Sequence, residues 1–189
     1  MGHAVAAPHV SFEDYVEAEV DAAPDAPKHE WAAGVIYAMS RGTPEHGRIT
    51  SRITIALGNV LPPQCQLYSS DTMLYIQAAE LATYADASVV CGPLETVTVR
   101  KNGRSLGQAV INPEVIIEVL SDSTERYDRD GKFQAYKQLA SLQEYVLVSP
   151  DPRRIEVFRR TEDWRGDTAT VGERVVIHGA SVDVDAVFR

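Results

Sequence analysis

Glu118 is the residue whose setting first calls for a chemical explanation. It lies within PEVIIEVLS, a run in which Val115, Ile116, Ile117, Val119 and Leu120 are all apolar. Apolar runs of strand length are normally buried on both faces. A carboxylate in such a strand is costly unless it is paired, protonated or bound to a metal. A second acid, Asp86, opens the apolar run of TYADASVV. Two acids on neighbouring strands can share one hard divalent cation, because carboxylate oxygens suit Mg²⁺ and Mn²⁺. The carbonyl of Val119 can supply a third oxygen.

Lys132, in DRDGKFQAYKQ, follows Glu118 by fourteen residues at the start of a helical pattern. A helix packed on the Glu118 strand can aim that ammonium at the acids, where it would stabilise charge developing on a phosphate or orient an attacking water. His46 follows Pro44-Glu45 at another helix start, and its neutral imidazole can hydrogen-bond a metal-bound water or a phosphate. Each residue also has a purely structural reading. Glu118 can pair with an arginine or sit at a sheet edge, and Asp86 can be a turn or cap residue. Lys132 can be a solvated surface lysine, and His46 an ordinary first-turn residue. Lys137 lies about 140° round the helix from Lys132 and is expected to face solvent. Tyr136, one turn beyond Lys132, reads as core packing. No G-x-S-x-G elbow surrounds Ser121 or Ser123, and neither a G-x-x-x-x-G-K-[ST] loop nor a G-x-G-x-x-G fingerprint occurs.

The elements that must position these groups are legible to different degrees. Ser11, with Asp14 three residues later, caps a helix whose Phe12, Tyr15 and Val16 line one face. Residues 21–29 read as a Pro-rich linker, and 30–40 as a strand or hairpin bent at Gly34. Helical spacing of Ile49, Ile53, Ala56, Leu57 and Val60 predicts a helix from His46 to Leu61, stopped by Pro62-Pro63. Strands are expected at 65–69 continuing to 73–76, at 85–91 and at 114–120, with a tight turn at Asn102-Gly103. A second amphipathic helix is predicted over Arg129–Ala140, with Phe133, Tyr136, Leu139 and Ala140 inward. Strands follow at 145–148, 154–158 and 174–177, with a polar hairpin around Trp164–Asp167. This order describes a mixed α/β (α+β) sheet with helices packed on it.

The 189 residues, 44% of them hydrophobic, suit one globular domain with a sizeable core. No apolar stretch reaches the roughly 18 residues of a membrane span, and MGHAVAAPHV lacks the pattern of a secretory signal. Residues 1–10 are expected to be poorly ordered. Cys65 and Cys91 make no disulfide framework and no short metal-ligand spacing. They read as two small buried hydrophobes in a reducing cytoplasm. The net charge of −9 argues against indiscriminate coating of nucleic acid. Between Arg100 and Arg165, however, 12 Lys and Arg meet 11 Asp and Glu, so any phosphate-facing surface should come from this C-terminal half.

An ordered set of motifs resembles the Uma-type restriction endonuclease family, a branch of the PD-(D/E)XK nuclease superfamily. The set is EWAAGVIYAMS with Glu30, Gly34 and Met39, then His46 with Ile49, then YADASVV and VIIEVLSDST. It continues with Asp128, Lys132 and Tyr136 spaced as D-x-x-x-K-x-x-x-Y, and ends with EYVLVSPDPRRIEVF; the similarity runs from Ser11 to Phe158. The resemblance implies a restriction-endonuclease-like mixed sheet flanked by helices and Mg²⁺- or Mn²⁺-dependent hydrolysis of DNA phosphodiester bonds. It implies that Asp86 and Glu118 are the metal-binding acids and Lys132 the lysine this branch carries on a helix. It also implies that Glu30 is part of the site, with a hairpin surface acid as the alternative. Ala85 stands where the motif usually has Pro, and Leu120 where the wider superfamily keeps its lysine, so the cationic role falls on Lys132.

Two functional readings remain at this level, beside a third possibility of an unrelated soluble α/β protein whose acids are all structural. One is a DNA endonuclease, expected as a homodimer because cutting both strands calls for two active sites. The other is a nuclease fold kept as a catalytically weak or inactive binding module, which the acidic balance and the missing strand lysine favour.

Overall fold

The computed structural model of the chain describes residues 9–23, 25–39 and 42–189. The expected disorder of 1–10 falls mostly outside these residues. Val10 is held, its N–H donating to the Gly34 carbonyl (2.8 Å) and its carbonyl accepting from the Trp31 indole (2.9 Å).

Helix α1 (Phe12–Asp21) starts where the Ser11 hydroxyl accepts from the Asp14 N–H at 3.1 Å, and it buries Tyr15 and Val16. Strands β1 (His29–Ala32) and β2 (Val35–Ala38) form a hairpin. Its two-residue loop, Ala33-Gly34, has both φ angles positive (46° and 83°), the backbone a tight hairpin requires. Helix α2 (Pro44–Gly58) begins two residues earlier than the periodicity suggests, because Pro44 fits the first helical position and Thr43 caps His46. It also ends earlier, leaving Val60 exposed rather than inward.

The strands divide between two six-stranded sheets. One has the order β2-β1-β5-β4-β8-β7 and adds β4 (Leu74–Ile76), β5 (Leu81–Thr83), β7 (Thr96–Lys101) and β8 (Arg104–Val110) to the hairpin. The other has the order β12-β11-β10-β9-β6-β3, built from β3 (Cys65–Ser69), β6 (Ala87–Cys91), β9 (Val115–Val119), β10 (Glu144–Pro150), β11 (Arg153–Arg159) and β12 (Arg165–Thr170). A small hairpin, β13 (Arg174–Ile177) with β14 (Ala180–Asp183), and helix α5 (Val184–Phe188) complete the chain. The mixed α+β class therefore holds.

Several finer expectations do not. The run 65–76 is not one strand: it breaks after Ser69, and its halves enter different sheets. The polar excursion around Asn102-Gly103 is a full hairpin, β7–β8, whose alternating polar side chains hide its strand character. The strand β5 and the segment β14–α5 have too few residues to show a period. The predicted continuous helix over 129–140 is instead α3 (Glu125–Tyr127), a π-helical turn (Asp128–Lys132) and α4 (Phe133–Tyr136), with Ala140 exposed. Cys65 and Cys91 are not separate thiols. The antiparallel β3–β6 register sets them opposite one another, and they are joined in a disulfide.

β9 is buried along its whole length, and its alternation sorts the core. Val115, Ile117 and Val119 face Ile49, Ile53 and Leu57 of α2 together with Val184, Val187 and Phe188 of α5. Ile116 and Leu120 face Phe133, Tyr136, Tyr145 and Leu147. Glu118 shares the parity of Ile116 and Leu120, so its carboxylate points to the side covered by the α3–α4 segment. Parallel pairing of β9 with β10 requires a crossover, and that segment is the crossover. Leu57→Ala should lower unfolding free energy by about 3 kcal/mol, the range for a fully buried leucine. Urea titration reads it, and a loss below about 1 kcal/mol would mean that α2 is not packed as described.

Candidate active site

Asp86 lies in the three-residue step by which the chain leaves β5 in one sheet and enters β6 in the other. The β6–β9 register pairs Ala87 with Ile117, which brings Asp86 beside Glu118. Two backbone bonds lock the acids to each other's strand. The Val119 N–H donates to Asp86 Oδ2 at 2.7 Å, and the Asp86 N–H donates to Glu118 Oε2 at 3.3 Å. The two acids therefore meet at the junction of the sheets, each tied to the other's segment.

Lys132 reaches Glu118, which the sequence alone left open. The π-helical turn carries it inward, and its ammonium lies 3.0 Å from Glu30 Oε1, 3.2 Å from Glu118 Oε1 and 3.6 Å from Asp128 Oδ1. Single-turn π segments of this kind frequently mark functional positions. Leu120 is packed among apolar side chains, and the ammonium beside Glu118 comes from the helical crossover. Lys137 is not part of the cluster; its ammonium sits over the Phe133 ring.

Glu30 is buried, not a hairpin surface acid, and the hydroxyl of Thr83 donates to its Oε1. His46, in the first turn of α2, places Nε2 at 2.9 Å from the Val119 carbonyl and 3.2 Å from Asp86 Oδ2. Both partners are acceptors, so Nε2 carries the proton. The five residues singled out from the sequence thus converge. Two more join them. Tyr136 is more than core packing, since its hydroxyl donates to Glu118 Oε1 at 2.8 Å. Asp128 is buried four residues before Lys132, and its Oδ1 lacks a hydrogen-bond donor among the described residues. The i,i+4 spacing of Asp128, Lys132 and Tyr136 was the available signal for both.

With this arrangement in view, comparison with known proteins is informative. Residues 12–183 match the family model described as "Uma2: Putative restriction endonuclease". The chain belongs to this family. Two Synechocystis sp. (strain ATCC 27184 / PCC 6803 / Kazusa) proteins, both called uncharacterized, are relatives. The protein slr1290 is 33% identical over 187 residues, 96% of this chain and 93% of that protein. The protein sll1609 is 30% identical over 137 residues, 72% and 74% respectively. The crystal structure of "a putative nuclease belonging to DUF820" from Anabaena variabilis ATCC 29413 superposes with a TM-score of 0.72 at 17% identity, covering 95% of this chain and 97% of that one. At that identity the likeness establishes a shared nuclease-type fold.

In this Uma2 family member the site's electrostatics are set by an excess of acid. Glu30, Asp86, Glu118 and Asp128 surround one ammonium and one imidazole. Burial pushes the Glu118 carboxyl up to about 8, against the opposing pull of Lys132. Burial likewise raises Asp128. For Lys132 burial works against the charge, but Glu118, Glu30 and Asp128 outweigh it and hold the ammonium well above the ordinary lysine value. The hydrogen bond to Asp86 raises His46. An all-oxygen donor set of this kind fits a hard divalent cation.

This predicts a pH dependence in the metal-free chain. Glu118 has a folded value near 8 against an ordinary 4.5, so its contribution to stability is complete below 4.5 and is lost as pH rises through about 8. The raised His46 acts in the same direction above its ordinary 6.5. In EDTA, stability should therefore fall from pH 5 to 8, and Glu118→Gln should flatten that fall. Equal slopes for the two proteins in urea titrations across this range would contradict the assignment.

Proposed function

We propose that the chain is a metal-dependent endonuclease that hydrolyses DNA phosphodiester bonds. The observation carrying this reading is the meeting of Asp86, in the step before β6, with Glu118 of β9, whose Oε1 the Lys132 ammonium approaches to 3.2 Å. The family model and the nuclease-type fold support it.

Asp86, Glu118 and the carbonyl of Val119 are the groups that would hold Mg²⁺ or Mn²⁺, with Glu30 placed to take a second ion or a bound water. A carbonyl oxygen has two lone pairs, so the bond from His46 leaves one available at Val119. When bound, the ion supplies Lewis-acid polarisation of the phosphodiester and a water of lowered pKa. The protein's own groups do the positioning. Lys132 stays charged and presents its ammonium to the negative charge that builds on the phosphoryl oxygens. The Tyr136 hydroxyl fixes the Glu118 carboxylate, and His46 fixes Asp86 together with the end of β9. Hydrolysis adds water's oxygen to phosphorus, breaks one P–O ester bond and protonates the departing sugar oxygen. Duplex cleavage by this site calls for two copies, so the active form is proposed to be a homodimer.

Asp86→Ala and Glu118→Ala should each abolish cleavage of plasmid DNA in Mg²⁺ or Mn²⁺ while the circular dichroism spectrum is kept. Lys132→Ala should cut the rate by a factor on the order of 10²–10³, as for loss of one charge-stabilising donor. Isothermal titration should show Mn²⁺ binding that Glu118→Gln abolishes. Wild-type protein that binds Mn²⁺ but cleaves neither DNA nor RNA would mark the chain as a binding module with a retained site. Protein that binds no Mn²⁺ would overturn the metal-dependent reading outright.

A further inference from the structure

At the other end of β6 a second group of ligand-type atoms meets. The sulfurs of Cys65 and Cys91 and Nε2 of His178 lie within 4.8 Å of one another. His178 Nε2 is 3.3 Å from the Cys91 sulfur and 3.6 Å from Oε2 of Glu114. These four residues come from β3, β6, the residue before β9, and the tip of the β13–β14 hairpin. Cys91 lies five steps along the chain from Asp86, roughly 17 Å at strand rise, so this cluster is distinct from the acidic site.

We infer that, with its disulfide reduced, the chain binds one zinc ion through Cys65, Cys91 and His178, with Glu114 at the fourth position. Tetrahedral zinc with Zn–S near 2.3 Å and Zn–N near 2.05 Å sets sulfur and nitrogen roughly 3.6 Å apart, and nitrogen and carboxylate oxygen roughly 3.4 Å apart. The spacings of 3.3 and 3.6 Å at His178 are close to these, while the two sulfurs, bonded to each other in this structure, must part on reduction to the roughly 3.8 Å that tetrahedral zinc sets between thiolates. Two thiolates with an imidazole select zinc over Mg²⁺ or Mn²⁺. The ligand backbones are already held. The Glu114 carbonyl accepts from the Gln143 and Glu144 N–H groups, and its N–H donates to the Val89 carbonyl. The His178 N–H donates to Glu144 Oε2 at 2.7 Å, and Arg159 holds the same carboxylate. His178 and Gly179, with φ of 49° and 77°, form a two-residue loop of a type that favours Asn-Gly. The side chain at its first position is instead an imidazole beside a sulfur.

The chemistry balances with a thiol or phosphine reductant. Two thiols reduce the S–S bond and end as a disulfide, or a phosphine reduces it and takes oxygen from water to become the phosphine oxide; either way two cysteine thiols form, and each releases a proton on binding zinc. In the oxidised chain the sulfurs are bonded to each other and the site is closed to metal.

The test uses full-length protein in a phosphine reductant, with free thiols counted, titrated with Co²⁺ and then Zn²⁺. One equivalent of Co²⁺ should give the sulfur-to-cobalt charge-transfer band and ligand-field bands of a tetrahedral site, and Zn²⁺ should bleach both. Cys91→Ser and His178→Ala should each weaken binding at least tenfold, and Glu114→Gln should weaken it less. Asp86→Ala should leave the spectrum unchanged, separating this site from the acidic one. Untreated protein should give no band. A disulfide that resists the reductant, a reduced chain without the charge-transfer band, or unchanged affinity in His178→Ala would each overturn the inference.

Discussion

Burial of the Glu118 carboxylate is the constraint around which this chain is organised. A charge in the middle of a strand covered on both faces is unfavourable by several kcal/mol unless something answers it. The Lys132 ammonium and the Tyr136 hydroxyl do so, both delivered by the crossover between β9 and β10. The answer is incomplete, because Glu30 and Asp128 also draw on that ammonium, while Asp86 turns to the His46 imidazole. Four acids around one ammonium and one imidazole are costly in a poorly hydrated place. The fold accepts that local cost because the apolar layers on both sides of β9 more than offset it.

The division into two sheets is what makes the cluster possible. Glu30 and Thr83 belong to one sheet and Glu118 to the other, while Asp86 occupies the short step between them. A single continuous sheet would spread these acids along strands with alternating faces. A junction instead aims them at one point from different directions. The lysine's location follows the same logic. Leu120 points into the core beside Tyr145 and Leu147, and a lysine there would have to displace apolar packing. The crossover helix offers an alternative route, and its π-helical turn rotates Asp128 and Lys132 inward together.

Much of this was readable from residues alone, and the reasons are specific. Helices α1 and α2 declare themselves through caps and spacing, and β9 through an unbroken apolar run interrupted by one acid. The hairpin loops at Ala33-Gly34 and Asn102-Gly103 are local backbone requirements. The strand β5 and the C-terminal β14–α5 segment are too short to carry a period, and β7–β8 alternates polar residues that mask it. The break of the second helix depends on what packs beneath it. The role of Tyr136 was hidden because a tyrosine one turn from a lysine fits an apolar core equally well, and only the position of Glu118 reveals which end of the ring matters. The pairing of Cys65 with Cys91 depends on strand register, and their 26-residue separation carries no hint of it.

The sequence by itself determined the types of chemistry present: an acid inside one apolar strand, an acid at the mouth of another, a lysine in a helical pattern and an imidazole at a helix start. Those properties are local, set by side-chain type, periodicity and capping. Only the tertiary structure decided which of these groups touch, because contact between Asp86 and Glu118, or between Lys132 and Glu30, is made by strand register and by the angle at which two sheets and a broken helix meet. Such long-range geometry is the sum of many packing contacts, and no short window of residues contains it.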